Sequence, residues 1–125
     1  MATSLTSRRR SYVAVTVTLT GGADRILDLV NAIMAAETQG DNTMLCPDAC
    51  GHLSLQAAVG NANVVYVGDA LVAATRAAVA LYPPSATATD LETHVYRAPI
   101  NAIQLGSLYA LGTAGQKLNV EVMTF

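Results

Sequence analysis

Cys46, Asp48, Cys50 and His52 are the residues whose types and spacing come nearest to a chemical site. Two thiols and an imidazole are ligands of the kind zinc takes. A structural zinc site wants four ligands, usually as two pairs at characteristic spacings. Here the pattern is Cys-x3-Cys-x-His, with Asp48 between, and no second pair follows. The spacing is unspecific. The expectation is therefore no metal on Cys46, Cys50 and His52, but ordinary buried or half-buried cysteines near a turn. A single cysteine pair in a chain made in a reducing compartment also predicts no disulfide framework.

Other chemistries find less support. Nucleophilic catalysis needs a nucleophile, a base and an orienting group held together. The two histidines are His52, expected on the outward face of a strand, and His94, in a polar stretch. No Gly-x-Ser-x-Gly elbow is present. Gly21-Gly22 precedes a helical pattern, and a helix start can hold an anion. It lacks the spaced glycines and lysine of a phosphate loop, and Asp24 opposes Arg25. The nine acids occur in no suggestive context for glycoside hydrolysis. With no tryptophan, one phenylalanine and a net charge of −2, nucleic-acid binding is not expected. The reading is a binding or structural module: not an enzyme, and without a cofactor.

The elements that would position these residues are mostly strands. Val13, Val15, Val17 and Leu19 alternate with Tyr12, Ala14, Thr16 and Thr18, which predicts a strand over 12–19. Ile26, Leu29, Val30, Ile33 and Met34 form one helical stripe within 24–37. A short strand is expected at 44–46. Leu53, Leu55 and Ala57 should face inward from a further strand, with His52, Ser54 and Gln56 outward. Strands follow at 64–67 and 93–97. Residues 70–82 are open between an alanine-favoured helix and short strands. Residues 85–90 read as a loop. The chain closes on alternation of Lys117, Asn119 and Glu121 against Leu118, Val120 and Val122. The glycines of Gly112 to Gln116 predict a hairpin joining it to 108–111.

These elements predict a mainly β chain: a two-layer antiparallel β-sandwich, jelly-roll-like, with one helix at about 24–37. The domain spans 11–125, behind a flexible basic arm at 1–10 carrying Arg8, Arg9 and Arg10. Hydrophobic content is 52% and charged content only 13%. So low a charge suits a surface largely covered by partner subunits. No transmembrane helix or secretory signal is read, so the chain is expected to be made in the cytosol.

Val64-Val-Tyr-Val-Gly-Asp69, followed by Ile103-Gln-Leu-Gly-Ser-Leu-Tyr-Ala-Leu-Gly-Thr-Ala-Gly-Gln-Lys-Leu-Asn-Val-Glu-Val122, resembles small virion proteins of tailed bacteriophages. The likeness covers about residues 12–20 and 51–123, in pattern and order. It implies a β-sandwich that assembles on a capsid or tail, with 70–81 more strand than helix. The helix at 24–37 and the Cys-Pro-Asp-Ala-Cys loop depart from the pattern, and the family carries no catalytic residues to transfer. The resemblance makes a capsid decoration (cement) protein the leading expectation, located in the virion and made in the host cytoplasm. Its partners would be the major capsid protein or other virion subunits, with self-association into a homo-oligomer and no nucleic acid or membrane. Arg8, Arg9 and Arg10, with the loop at Pro83 and Pro84, are the expected docking residues. The alternatives are a head–tail connector, tail or fibre-base component, or a small carbohydrate-binding attachment module. The last would stack sugars on Tyr66, Tyr82, Tyr96 or Tyr109.

Overall fold

A computed structural model describes residues 12–37, 45–83 and 93–124. The arm at 1–10, Met44, Pro84 and the loop at 85–90 lie outside the described residues. Ten strands and one α-helix are found among them. In chain order these are β1 (Tyr12–Thr18), β2 (Asp24–Arg25), α1 (Ile26–Glu37), β3 (Ala49–Cys50), β4 (His52–Ala57), β5 (Val65–Gly68), β6 (Val79–Leu81), β7 (Thr93–Arg97), β8 (Ile103–Gln104), β9 (Tyr109–Leu111) and β10 (Lys117–Met123).

Two four-stranded sheets form the sandwich, in the orders β1-β10-β4-β7 and β2-β9-β5-β6; β3 and β8 make a separate pair. All pairings are antiparallel. Period-two alternation gives each long strand one apolar face, and those faces meet. Val13, Val17, Leu53, Leu55, Leu118, Val120 and Val122 line the inner side of the first sheet. Val65, Val67, Leu81 and Ala110 answer from the second. Helix α1 packs on β1, β2 and the short 3-10 turn Leu105–Ser107, burying Ile26, Leu27, Val30 and Met34.

The expected closing hairpin is not a hairpin. Strand β9 pairs with β2 and β5, whereas β10 pairs with β1 and β4, so residues 112–116 carry the chain from one sheet to the other. The turn is held by distant groups. Leu19 N–H donates to Gln116 O at 2.8 Å, and Gly115 N–H donates to Leu19 O at 2.9 Å. Gly115 has φ +90°, where glycine is favoured. Gln116 is buried; its Oε1 accepts from Thr113 N–H at 2.8 Å and its Nε2 donates to Asn63 O at 2.7 Å. A Cβ on Gly112 would lie 2.7 Å from Cδ1 of the buried Leu19, so the crossover leaves no room for a side chain there.

Other boundaries move for local reasons. Helix α1 begins at Ile26, because Asp24 and Arg25 pair with Ala110 and Tyr109 as β2. The Asp24 carboxylate meanwhile accepts from the backbone and hydroxyl of Thr20, at 2.8 and 2.6 Å. Leu45 and Cys46 are not strand: Cys46 N–H is taken by Asn31 Oδ1 of α1 at 2.9 Å, and Pro47 has no N–H to give. The strand lies at β3 instead. Of residues 70–82 only β6 is strand. The rest turns, because Asp69 caps Leu71 N–H at 2.9 Å and pairs with Arg76 at 2.7 Å.

Tyr96 turns inward from β7, edge-to-face with His94 at a 4.6 Å centroid separation. Its hydroxyl is buried with no hydrogen-bond partner among the described residues, and burial pushes its pKa up. A raised folded pKa means stability that is full below about pH 10, where an unfolded tyrosine ionises, and is lost as pH rises through the folded value. Tyr96→Phe is therefore expected to be neutral, or stabilising by up to about 1 kcal/mol, at pH 7. It should also flatten the decline above about pH 10. Urea melts at both pH values check this, and a loss beyond about 1 kcal/mol at pH 7 would contradict it.

Candidate functional site

The outer face of the first sheet carries a continuous hydrogen-bonded row. Register places Thr16, Asn119, Gln56 and Thr93 in one row across all four strands. Thr16 Oγ1 donates to Asn119 Oδ1 at 2.8 Å, Asn119 Nδ2 to Gln56 Oε1 at 2.9 Å, and Gln56 Nε2 to Thr93 Oγ1 at 3.0 Å. The next row is Ala14, Glu121, Ser54 and Val95. Its small residues help leave a shallow depression of about 420 Å³, lined by the polar row and Glu121. Glu121 is a hub: it accepts from Tyr12 OH at 2.8 Å and meets His52 Nε2 at 3.2 Å. The bond to Glu121, reinforced by its negative charge, raises the Tyr12 pKa. The ladder's amides and hydroxyls bond one another, so it stiffens the plate; cross-strand pairs of this kind contribute about 0.2–1 kcal/mol each.

The second feature is the turn after β5. Asp69 accepts from Leu71 N–H, and its carboxylate takes Arg76 Nη2 at 2.7 Å and Nε at 3.4 Å. Arg76 holds the carboxyl below its ordinary range. Ala73 and Arg76 exchange two backbone bonds, at 3.0 and 2.9 Å. This locked turn presents Leu71 with 67% of its surface exposed.

The third feature is the end of the first sheet, where Gly51, His52, Arg97, Ala98, Pro99 and Met123 surround an open concavity of about 580 Å³. Beside it stands Ile100, 94% exposed. Nothing in the alternation pattern marks this turn; the signal is its backbone conformation.

The residues singled out in the sequence are dispersed. Cys46 and Cys50 lie buried in the core without a disulfide between them, and the Cys46 thiol donates to Pro47 O at 3.5 Å. Burial, with the charge of Asp48 second, pushes the Cys50 thiol up. His52 points to the outer face with Glu121, while Asp48 Oδ1 accepts from Gly106 N–H at 2.8 Å. Among the described residues no group of three His, Cys, Asp or Glu side chains could hold a metal ion. Pro83 is half-buried after β6; Pro84, Arg8, Arg9 and Arg10 lie outside the described residues. Of the tyrosines considered for sugar stacking only Tyr82 is exposed, and Tyr66, Tyr96 and Tyr109 are half-buried. No helix among the described residues is long and apolar enough to cross a membrane. The chain matches no family model, no curated protein and no solved structure.

Proposed function

We propose that the chain is a structural protein of a tailed-bacteriophage particle, and specifically a capsid decoration (cement) protein that binds the assembled head. The observation that carries the reading is the Asp69–Arg76 turn. Asp69 ends the Val-Tyr-Val-Gly-Asp motif on which the phage resemblance rests. It is also the residue that locks a turn displaying an apolar side chain to solvent. Exposed apolar residues on stiff supports are contact points, since little side-chain and loop freedom remains to be lost on binding. The hydrogen-bonded sheet face supplies the rigidity such a clamp needs. Each copy need bind its seam only modestly, because many copies act on one lattice.

Two variants test the docking roles in particles. Leu71→Ser leaves a surface residue polar, so it should change the melting temperature little and reduce incorporation at least about tenfold; each tenfold is about 1.4 kcal/mol of binding. Removing residues 1–10, with the three arginines, should likewise leave the fold intact and weaken incorporation. Incorporation of both variants at the parent level would overturn these docking roles.

A further inference from the structure

We infer that the Ile100 turn and the concavity beside it form a self-complementary surface by which two copies of this chain associate. The inference stands apart from the particle reading and rests on the geometry of one excursion. Residues 48–52 form an almost continuous antiparallel pair with residues 97–105. Arg97 registers with His52, Ala98 N–H bonds Gly51 O at 3.0 Å, Ile103 and Gln104 register with Cys50 and Ala49, and Leu105 N–H bonds Asp48 O at 2.7 Å. Gly51 and Cys50 are adjacent, yet Pro99, Ile100, Asn101 and Ala102 intervene between their partners. These four residues are looped out of the ladder and closed by Ala102 N–H to Pro99 O at 3.2 Å. An excursion of this kind re-aims a side chain away from the sheet.

The side chain it displays is the wrong one for the turn. Ile100 has φ +57° and ψ +34°, and Asn101 has φ +53°. Positive φ at both central residues belongs to a mirror-image turn, which favours Asn, Asp or Gly. A β-branched residue there is a genuine outlier, and strain of this kind concentrates at functional positions. Ile100 is also the most exposed large hydrophobic residue described, so neither backbone preference nor burial within the monomer accounts for it.

A second copy is the occupant that the surroundings specify. Knob and hole are neighbours, because Pro99 both precedes Ile100 and lines the concavity. A two-fold axis at the turn seats each Ile100 in the other copy's hole, as an isologous interface requires. The charges are arranged to match. Arg97 and Asp48 are both exposed; Arg97 has no ion-pair partner among the described residues, and Asp48 has Arg25 near it but beyond ion-pair distance. They mark opposite ends of the 48–52 segment, about 13 Å apart along a strand, with the turn between them. The same two-fold axis turns Arg97 of one copy toward Asp48 of the other. The contact consists of one knob and hole per copy with the charges that flank them, so the dimer is weak, with Kd on the order of 100 µM.

Sedimentation of the full chain from about 10 µM to 1 mM tests this, a range that brackets such a Kd. The 13.0 kDa chain should rise toward the mass of two copies. Ile100→Asn supplies a residue that the turn accepts, so its melting temperature should equal or exceed the parent's while association weakens at least about tenfold. Arg97→Asp and Asp48→Arg should each weaken association, and the double variant should restore it. A monomer throughout, a lowered melting temperature for Ile100→Asn, unaltered association in that variant, or no rescue in the double variant would each overturn the inference.

Discussion

Leu118→Ala is expected to destabilise the domain by about 2–5 kcal/mol, the range for emptying a fully buried leucine site. Leu118 has no exposed surface and lies in β10, between Val17 of β1 and Ala57 of β4. The alanine at 57 is too short to fill the space, and the paired backbones on both sides restrict collapse. The melting temperature should fall by roughly 8–20 °C, at about 4 °C per kcal/mol for a domain of this size. Leu118→Met keeps the volume and should cost less than about 1.5 kcal/mol. A loss under about 1 kcal/mol for the alanine variant would mean that β10 is not central to the core.

Gln116→Leu should cost about 2–4 kcal/mol, although it replaces a polar side chain by an apolar one of similar size. The leucine cannot accept from Thr113 N–H or donate to Asn63 O, the two bonds that pin the crossing between sheets. Both bonds are part-buried, and a group left unpaired there costs up to about 1–3 kcal/mol, of which the added apolar burial offsets part. Urea unfolding should show a lower midpoint at unchanged slope, the pattern of lost stability without altered compactness. Had residues 112–116 closed a hairpin, Gln116 would lie on a solvent-exposed loop and its replacement would change stability by less than about 0.5 kcal/mol. The variant therefore separates a crossover from a hairpin.

That crossover also marks where the sequence stops being legible. The faces of β1, β4 and β10 could be read directly, because alternation needs only the residues of one strand. The helical stripe from Ile26 to Met34 could be read for the same reason. Gly112 and Gly115 suit a hairpin and a crossover alike; what decides between them is Leu19 and Asn63, far away along the chain. The outward parity of His52 is legible from the alternation over 52–57; Cys50 has the same parity, and its burial in β3 is not legible from that pattern. The His52 partner Glu121 depends on pairing β4 with β10, which no local pattern specifies. Asp69 was visible as part of a motif, but its cap on Leu71 and its pair with Arg76 emerge only when the 70–78 segment folds back. Ile100 was illegible because its turn goes against residue preference, as local rules often do where a contact surface is built.

Docking on an assembled particle would place this sandwich on the particle's surface in many copies. Counting the chain in tailed-phage particles purified from cells that produce it, and locating it by imaging, tests this most directly. On the order of hundreds of copies are expected on the outer surface of the head, as lattice-wide binding requires. A dozen or fewer at the neck or tail would contradict the decoration role in favour of a connector or tail part, and absence from particles would contradict the virion reading altogether.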